Sequence, residues 1–391
     1  MKKVIIIGAG FAGTTIAYLL KQEGYDCTVI EKKDVIGGGC RTHFFGGHPF
    51  TYGPRPYYGY SQKIFNWIDS FVKLRKMPLY LLSYVEKDNR FYNYPIHEDD
   101  INQMPDKEEI LEELAQRDNS KEPDNFETYW IQRVGKRLYD KFVNTYSKKM
   151  WQIESNKQLD TFNWSAKDEP IQKGSKQVYK DSIIAYPYNK DGYNQYFEKM
   201  LEGSTLIKNN GVKKCNFDKK EVCLEDGTTL TYDLLISSMP IEELCENKLG
   251  ELPYIGRDFI KFVLPTNTIF PEGVKFCHYT GEEPYTRIVE YKQLTYHEAE
   301  DTLLVMELPS NKNKLYPYMI KKYINRAQEY IDSLPEEVYS IGRLGTYKYS
   351  TIEQTISQCF EAYTKITGKS IDGIENEFYK IGDIKEIKSR K

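Results

Sequence analysis

The stretch Val4-Ile5-Ile6-Ile7-Gly8-Ala9-Gly10-Phe11-Ala12-Gly13 constrains the fold of this chain more than any other. Four apolar residues in succession read as a buried strand of a parallel sheet. The G-x-G-x-x-G that follows at once reads as the turn into a helix. Gly8 makes the tight turn, Gly10 lets the backbone approach a pyrophosphate, and Gly13 lets the helix pack on the strand. The pyrophosphate then sits over free N–H groups at the helix N-terminus. Val29-Ile30-Glu31 arrives one helix-length later, placing a carboxylate where it can accept a hydrogen bond from a ribose hydroxyl. A lone G-x-G-x-x-G is a weak signal; strand, glycines, helix and acid together specify a Rossmann-like dinucleotide site.

The chain has 391 residues, room for two or three domains. A net charge of −3 gives no reason to expect nucleic acid or an anionic membrane as partner, so local arginines must hold any anionic ligand. The opening apolar run is too short for a signal peptide and is broken by glycines. No other segment approaches the roughly 20 apolar residues of a membrane helix, so no membrane insertion is expected. The seven cysteines are scattered and form no C-x-x-C. With only five histidines beside them, they suggest neither a metal site nor a disulfide framework, but the reduced thiols of a cytoplasmic protein.

Ile36-Gly37-Gly38-Gly39-Cys40 implies backbone running against a ligand. The Gly/Pro/Tyr-rich segment 48–60 reads as a loop. Helices are expected over 62–75, 107–118, 126–150, 190–202 and 318–333, and from about Ile352 onward. A polar, weakly periodic stretch at 155–182 reads as a mobile loop. Asp226-Gly227 signals a hairpin, Leu234–Ser238 a buried strand, and alternation over 257–310 an antiparallel sheet. The fold class is therefore α/β, with a discontinuous dinucleotide domain (1–62, 204–245 and 336–391). It carries a helical insertion (63–203) and an inserted antiparallel sheet domain (246–335).

Tyr146-Ser147-Lys148-Lys149-Met150-Trp151, Pro284-Tyr285-Thr286-Arg287-Ile288-Val289-Glu290, Glu307-Leu308-Pro309, Leu315-Tyr316-Pro317 and Gly342-Arg343-Leu344-Gly345-Thr346-Tyr347-Lys348-Tyr349 follow in that order. Together with the N-terminal glycines this set resembles the UDP-galactopyranose mutase family. The resemblance implies a flavoprotein isomerase that interconverts the pyranose and furanose forms of a nucleotide sugar. It further implies reduced FAD as cofactor, a covalent adduct between flavin N5 and the sugar, and a homodimer. No second dinucleotide fingerprint names NAD(P)H or another reductant as the electron source.

Carried over residue by residue, the resemblance places Arg287, Arg343, Tyr349, Arg55 and Tyr58 at the chemistry. FAD would contact Gly8, Gly10, Phe11, Ala12, Gly13, Glu31, Lys32, Gly38, Gly39, Cys40, Tyr52, Gly53, Val212, Gly342, Arg343, Thr351 and Ile352. The nucleotide sugar would contact Phe142, Tyr146, Trp151, Arg287, Glu307, Tyr316 and Tyr349. Arginines suit a leaving diphosphate because a guanidinium grips phosphate oxygens in bidentate fashion.

Three departures from the family pattern bear on the substrate. Arg55 and Tyr58 stand where family members carry histidines, and arginine donates hydrogen bonds but cannot accept them. Residues 163–186 hold no arginine to match the family's mobile-loop arginine, leaving Lys167, Lys173, Lys176 and Lys180 as candidates. Thr351 replaces an Asp and Gly39 an Asn. These changes favour a substrate such as dTDP-fucopyranose, with UDP-galactopyranose and UDP-N-acetylgalactosamine as further candidates. An amine-oxidase-like oxidoreductase and a non-enzymatic binding protein like the Rab GDP-dissociation inhibitors share the N-terminal fingerprint and remain alternatives.

Overall fold

The run Val4–Ile7 lies in the central strand of a five-stranded parallel sheet. In spatial order the strands are Thr205–Ile207, Asp26–Ile30, Lys3–Ile7, Leu234–Ser237 and Val338–Ser340. The coordinates are a computed structural model, and they describe residues 1–118, 120–160 and 171–371. Val4 and Ile6 point into one hydrophobic cluster, Ile5 and Ile7 into another on the opposite face. Burial on both faces explains why the strand has no polar alternation. The helices Phe11–Gln22 and Ile352–Thr367 cover the first face, where the Cys359 thiol meets the Ala12 carbonyl at 3.3 Å. Ala327 and Tyr330 of the helix Lys321–Asp332 pack into the second cluster. Beside the parallel sheet, Val212–Asn216, Glu221–Leu224 and Thr229–Thr231 form a small antiparallel meander. The turn before its last strand contains Asp226-Gly227, with Gly227 at φ +90°.

A second, seven-stranded sheet carries most of the site. Its order is Tyr316–Pro317, Tyr254–Leu264, Thr302–Ser310, Arg287–Glu290, Val274–Tyr279, Tyr80–Val85 and Arg90–Tyr94. All pairs are antiparallel except Val274–Tyr279 with Tyr80–Val85. The last two strands lie within the segment 63–203 expected as a helical insertion, and burial alternates residue by residue along Tyr80–Val85. Cross-strand register sets two rows of side chains on one face. One is Leu81, Phe276, Val289, Val305 and Lys261; the other is Ser83, His278, Arg287, Glu307 and Phe259. Successive residues of a strand point to opposite faces, so one face can combine apolar and charged rows.

Several elements differ from the sequence expectation. The helix expected over 62–75 ends at Phe71, and Leu74–Lys76 is a strand. The helix expected over 107–118 ends at Ala115, and the one expected over 190–202 spans Asn194–Leu201. The helix expected over 126–150 is interrupted: Gly135 leaves helical geometry at φ +80°, ψ 165°, and Asp140–Asn144 is a π-helical turn. The segment 48–60 holds two short strands, His48–Phe50 and Tyr57–Gly59. Of the stretch 155–182, residues 161–170, Lys167 among them, lie outside the described residues.

Candidate active site

A single cavity joins the glycine turns to the charged face of the seven-stranded sheet. Its walls include Gly10, Phe11, Ala12, Gly39, Cys40, Arg55, Tyr58, Arg287, Tyr316, Gly342, Arg343, Tyr349, Thr351 and Ile352. Fourteen positions singled out in the sequence thus meet although they are spread over some 340 residues.

The dinucleotide end is shaped by backbone. Gly8 sits at φ +95°, and a Cβ there would meet the Ser238 hydroxyl at 2.3 Å. A Cβ on Gly13 would lie 1.8 Å from the Gly8 carbonyl oxygen, so the helix can rest on the turn only with glycine at 13. Gly10 and Gly38 face one another across a slot that no side chain of either fills. The helix that starts at Phe11 has no side-chain cap, leaving its first N–H groups for an anion. Gly37 fixes the neighbouring turn: it has φ +109°, it donates to the Ala9 carbonyl at 2.7 Å, and a Cβ there would meet the Phe197 ring. Gly37 belongs to the glycine run expected to pass against a ligand, although only Gly38 and Gly39 were carried over as FAD contacts. Glu31 is buried and accepts from the Ala9 and Lys33 amides, both at 3.0 Å. Its remaining lone pairs are what a ribose could use. Lys32 is exposed, and Val212 follows shortly after Asn210, whose amide reaches the Glu31 carbonyl. These residues lie beyond the cavity wall, on the side where the adenosine end is expected. An uncapped helix, an open glycine slot and a buried carboxylate fit an extended FAD.

The other end is strongly cationic. Arg287 pairs with Glu307 at 2.7 Å; Glu307 is fully buried and Arg287 is largely so. Arg55 donates to the Gly39 carbonyl at 3.2 Å and to the Tyr52 carbonyl at 2.9 Å. Arg343 donates to the carbonyls of Leu315 at 3.2 Å and Ser350 at 2.7 Å, and its guanidinium lies over the Tyr349 and Tyr316 rings. Arg257, absent from the sequence expectation, is buried with its guanidinium 5.1 Å from the Tyr316 ring centroid. Tyr316 stacks on Tyr349, with centroids 5.6 Å apart and planes 13° from parallel. Burial pushes the Tyr316 phenol up, but the Arg55, Arg287 and Arg257 charges outweigh it and bring it down to about 8. Burial pushes the Tyr58 phenol well above its usual range, with Tyr349 and Tyr179 adding to the rise. It likewise raises the Cys40 thiol against the pull of Arg55 and Arg343. That direction disfavours a thiolate at Cys40.

Other predicted residues stand back from the cavity wall. Trp151 is 1 % exposed and packs against Tyr318, whose hydroxyl bonds the Trp151 carbonyl at 2.6 Å. Phe142 is equally buried, against Tyr92. Both are buried in helical segments that follow the break at Gly135 and stand outside the cavity lining. Tyr146 packs on His278 within the electrostatic reach of Arg287 and Arg257. Gly53 stands beside the Arg287 and Arg55 side chains, and Tyr52 packs on Phe259. Thr351 accepts from the Gln354 amide at 3.1 Å and so caps the helix Ile352–Thr367 at the cavity edge. Among the loop lysines, Lys173 pairs with Glu98, and Lys176 with Asp99 and Asp100. Tyr179 reaches the cavity instead, stacked on Tyr58 at 5.1 Å and 8°.

Comparison with known proteins matches the architecture. Residues 141–349 fit the family model for UDP-galactopyranose mutase, and residues 6–71 that for an NAD(P)-binding Rossmann-like domain. The chain is 26 % identical to a dTDP-fucopyranose mutase from Escherichia coli, over 92 % of this chain and 97 % of that protein. It is 24 % identical to a probable UDP-galactopyranose mutase from Klebsiella pneumoniae, over 92 % and 93 % of the two chains. A solved structure of reduced UDP-galactopyranose mutase superposes with a TM-score of 0.80 at 17 % identity, covering 94 % of each chain. The chain therefore belongs to the UDP-galactopyranose mutase family: it is a flavin-dependent pyranose mutase, an isomerase.

Proposed function

We propose that this enzyme interconverts the pyranose and furanose rings of a nucleotide-linked hexose, with dTDP-fucopyranose as the favoured substrate. UDP-galactopyranose and UDP-N-acetylgalactosamine are the other candidates. One observation carries the reading: Arg55, Arg257, Arg287 and Arg343 converge on Tyr316 beside an uncapped dinucleotide helix. That much fixed positive charge is suited to a diphosphate that leaves and returns within the site. An amine-oxidase-like reaction has no need of it, and a binding protein has no need of the glycine slot.

When bound and reduced, the flavin supplies a nucleophilic N5 for the anomeric carbon. The chain supplies the rest. Arg287 and Arg343 hold the diphosphate in place and stabilise its charge as it departs, without reorganising, because carboxylate and carbonyl partners already fix both guanidiniums. The phenols of Tyr316 and Tyr349 donate to phosphate oxygens. Arg55 offers only donors, so it faces an accepting oxygen of the sugar. Sheet walls and the stacked Tyr58–Tyr179 pair exclude water from the open-chain sugar. Dithionite-reduced and oxidised enzyme are each to be incubated with the three nucleotide sugars and assayed for furanose. Furanose formed only by reduced enzyme supports the reading; a keto product accumulating with oxidised enzyme overturns it.

A further inference from the structure

The segment 342–350 carries Arg343 and Tyr349 into the cavity, and both of its ends meet one buried side-chain amide. At the first end, Gly342 opens the one-turn helix Gly342–Gly345, whose N-cap residue Ile341 offers its amides no side-chain acceptor. Gln358, from the helix Ile352–Thr367, fills that need: its Oε1 accepts from the Gly342 amide at 2.6 Å. At the other end its Nε2 comes to 3.5 Å from the Ser350 hydroxyl, a longer contact. The Ser350 carbonyl in turn accepts from Arg343 at 2.7 Å. Gln358 and Ser350 are both buried, and Gln358 stands behind the cavity lining rather than in it. Gly342 has little slack of its own. It sits at φ +77°, and a Cβ there would lie 3.1 Å from the Ala12 Cβ on the dinucleotide helix.

We infer that Gln358 is a positioning residue: it pins the two ends of this segment and so fixes the direction in which Arg343 meets the diphosphate. The inference rests on the mutase reading above and adds to it a residue behind the cavity wall. A primary amide suits the task because it accepts and donates at once, so one side chain answers both an N–H and a hydroxyl. Without it the buried Gly342 amide lacks an acceptor, and the segment gains by moving to find one. Arg343 moves with it, and a phosphate grip is sensitive to shifts of about 1 Å.

The test is a double-mutant cycle read by calorimetric titration of flavin-loaded enzyme with dTDP and with UDP. Gln358→Met keeps the length of the side chain and removes its amide. It should weaken binding of the nucleoside diphosphate by roughly tenfold or more. In an Arg343→Ala background the same substitution should cost at least about threefold less, because the group it positions is gone. A merely structural role lowers the melting temperature and gives equal losses in the two backgrounds. Gln358→Asn, one methylene shorter, keeps an amide that cannot span both ends, and it runs the same cycle if the Met protein does not take up flavin. Unchanged affinity in the variants, or equal losses with and without Arg343, overturns the positioning role and leaves the mutase reading standing. If the unsubstituted enzyme binds neither diphosphate, the mutase reading fails and the role of Gln358 with it.

Discussion

Arg287 and Glu307 face each other on neighbouring antiparallel strands, with guanidinium and carboxylate 2.7 Å apart and the carboxylate fully buried. The pair both holds a substrate-facing cation in place and keeps a buried charge from standing alone. Arg287→Lys keeps the charge but loses the planar fork. We expect kcat/KM to fall by about 10²–10³ with flavin still bound; unchanged kinetics would refute the phosphate role. Arg287→Ala strands Glu307 and should cost about 3–5 kcal/mol in thermal or denaturant melts. Adding Glu307→Gln should recover much of that stability and none of the turnover.

The Tyr316 phenol, at about 8, gives substrate affinity a pH dependence of definite sign. Below pH 8 the phenol is neutral and donates to the diphosphate. Above pH 8 it ionises and competes with the diphosphate for the same arginines. KM should therefore rise above pH 8, by up to about tenfold per pH unit at the limit for one proton. Steady-state profiles from pH 6 to 9.5 check this, and Tyr316→Phe should flatten the alkaline limb. A limb that persists in the Phe variant assigns the titration elsewhere.

Two glycines should separate cofactor binding from folding. A Cβ at Gly10 stands 3.8 Å from the Gly38 Cα, an ordinary contact that narrows the slot, whereas one at Gly13 runs into the Gly8 carbonyl. Gly10→Ala should keep the melting temperature of the apoprotein and lose flavin affinity. Gly13→Ala should lose both. A Gly10→Ala protein that purifies fully yellow would show that the slot is not the pyrophosphate seat.

Glu353 accepts from the Tyr57 hydroxyl at 2.7 Å and from the amides of Tyr60 at 3.1 Å and Ser61 at 2.9 Å. It ties the helix Ile352–Thr367 to the strand Tyr57–Gly59 and is itself buried. Glu353→Ala removes a charged acceptor shared by the Tyr57 hydroxyl and two amides, the hydroxyl keeping the Ser61 carbonyl at 3.2 Å, and we expect a loss of about 2 kcal/mol. A thermal melt indistinguishable from the parent would show that the donors find other partners.

The dinucleotide end was legible because its requirements are local. Gly8 takes a left-handed φ and Gly13 must clear the Gly8 carbonyl, both within one turn, so the spacing alone carries them. Leu234–Ser237 was legible as well, since an apolar run buried on both faces has no polar alternative. The cationic end is a product of register. Arg257 sits in the strand Tyr254–Leu264, and only the pairing of that strand with Tyr316–Pro317 shows that it shares the Tyr316 ring with Arg343. Phe142 and Trp151 came from resemblance alone, and their burial against Tyr92 and Tyr318 shows only once the chain is folded. Leu79 and Leu81, which also line the cavity, gave no sign of it, because buried leucines look the same in sequence whether they face a ligand or a neighbour.

The interleaving of the parallel sheet sets the order of assembly on the ribosome. The strand Lys3–Ile7 is made first, yet its neighbour Leu234–Ser237 is made more than two hundred residues later, and Val338–Ser340 and the helix at Ile352 later still. Contacts so distant in sequence are slow to close. A nascent chain therefore carries the glycine fingerprint for most of its synthesis without being able to hold the cofactor. Flavin capture becomes a late event, and it reports that the whole polypeptide has reached its native topology.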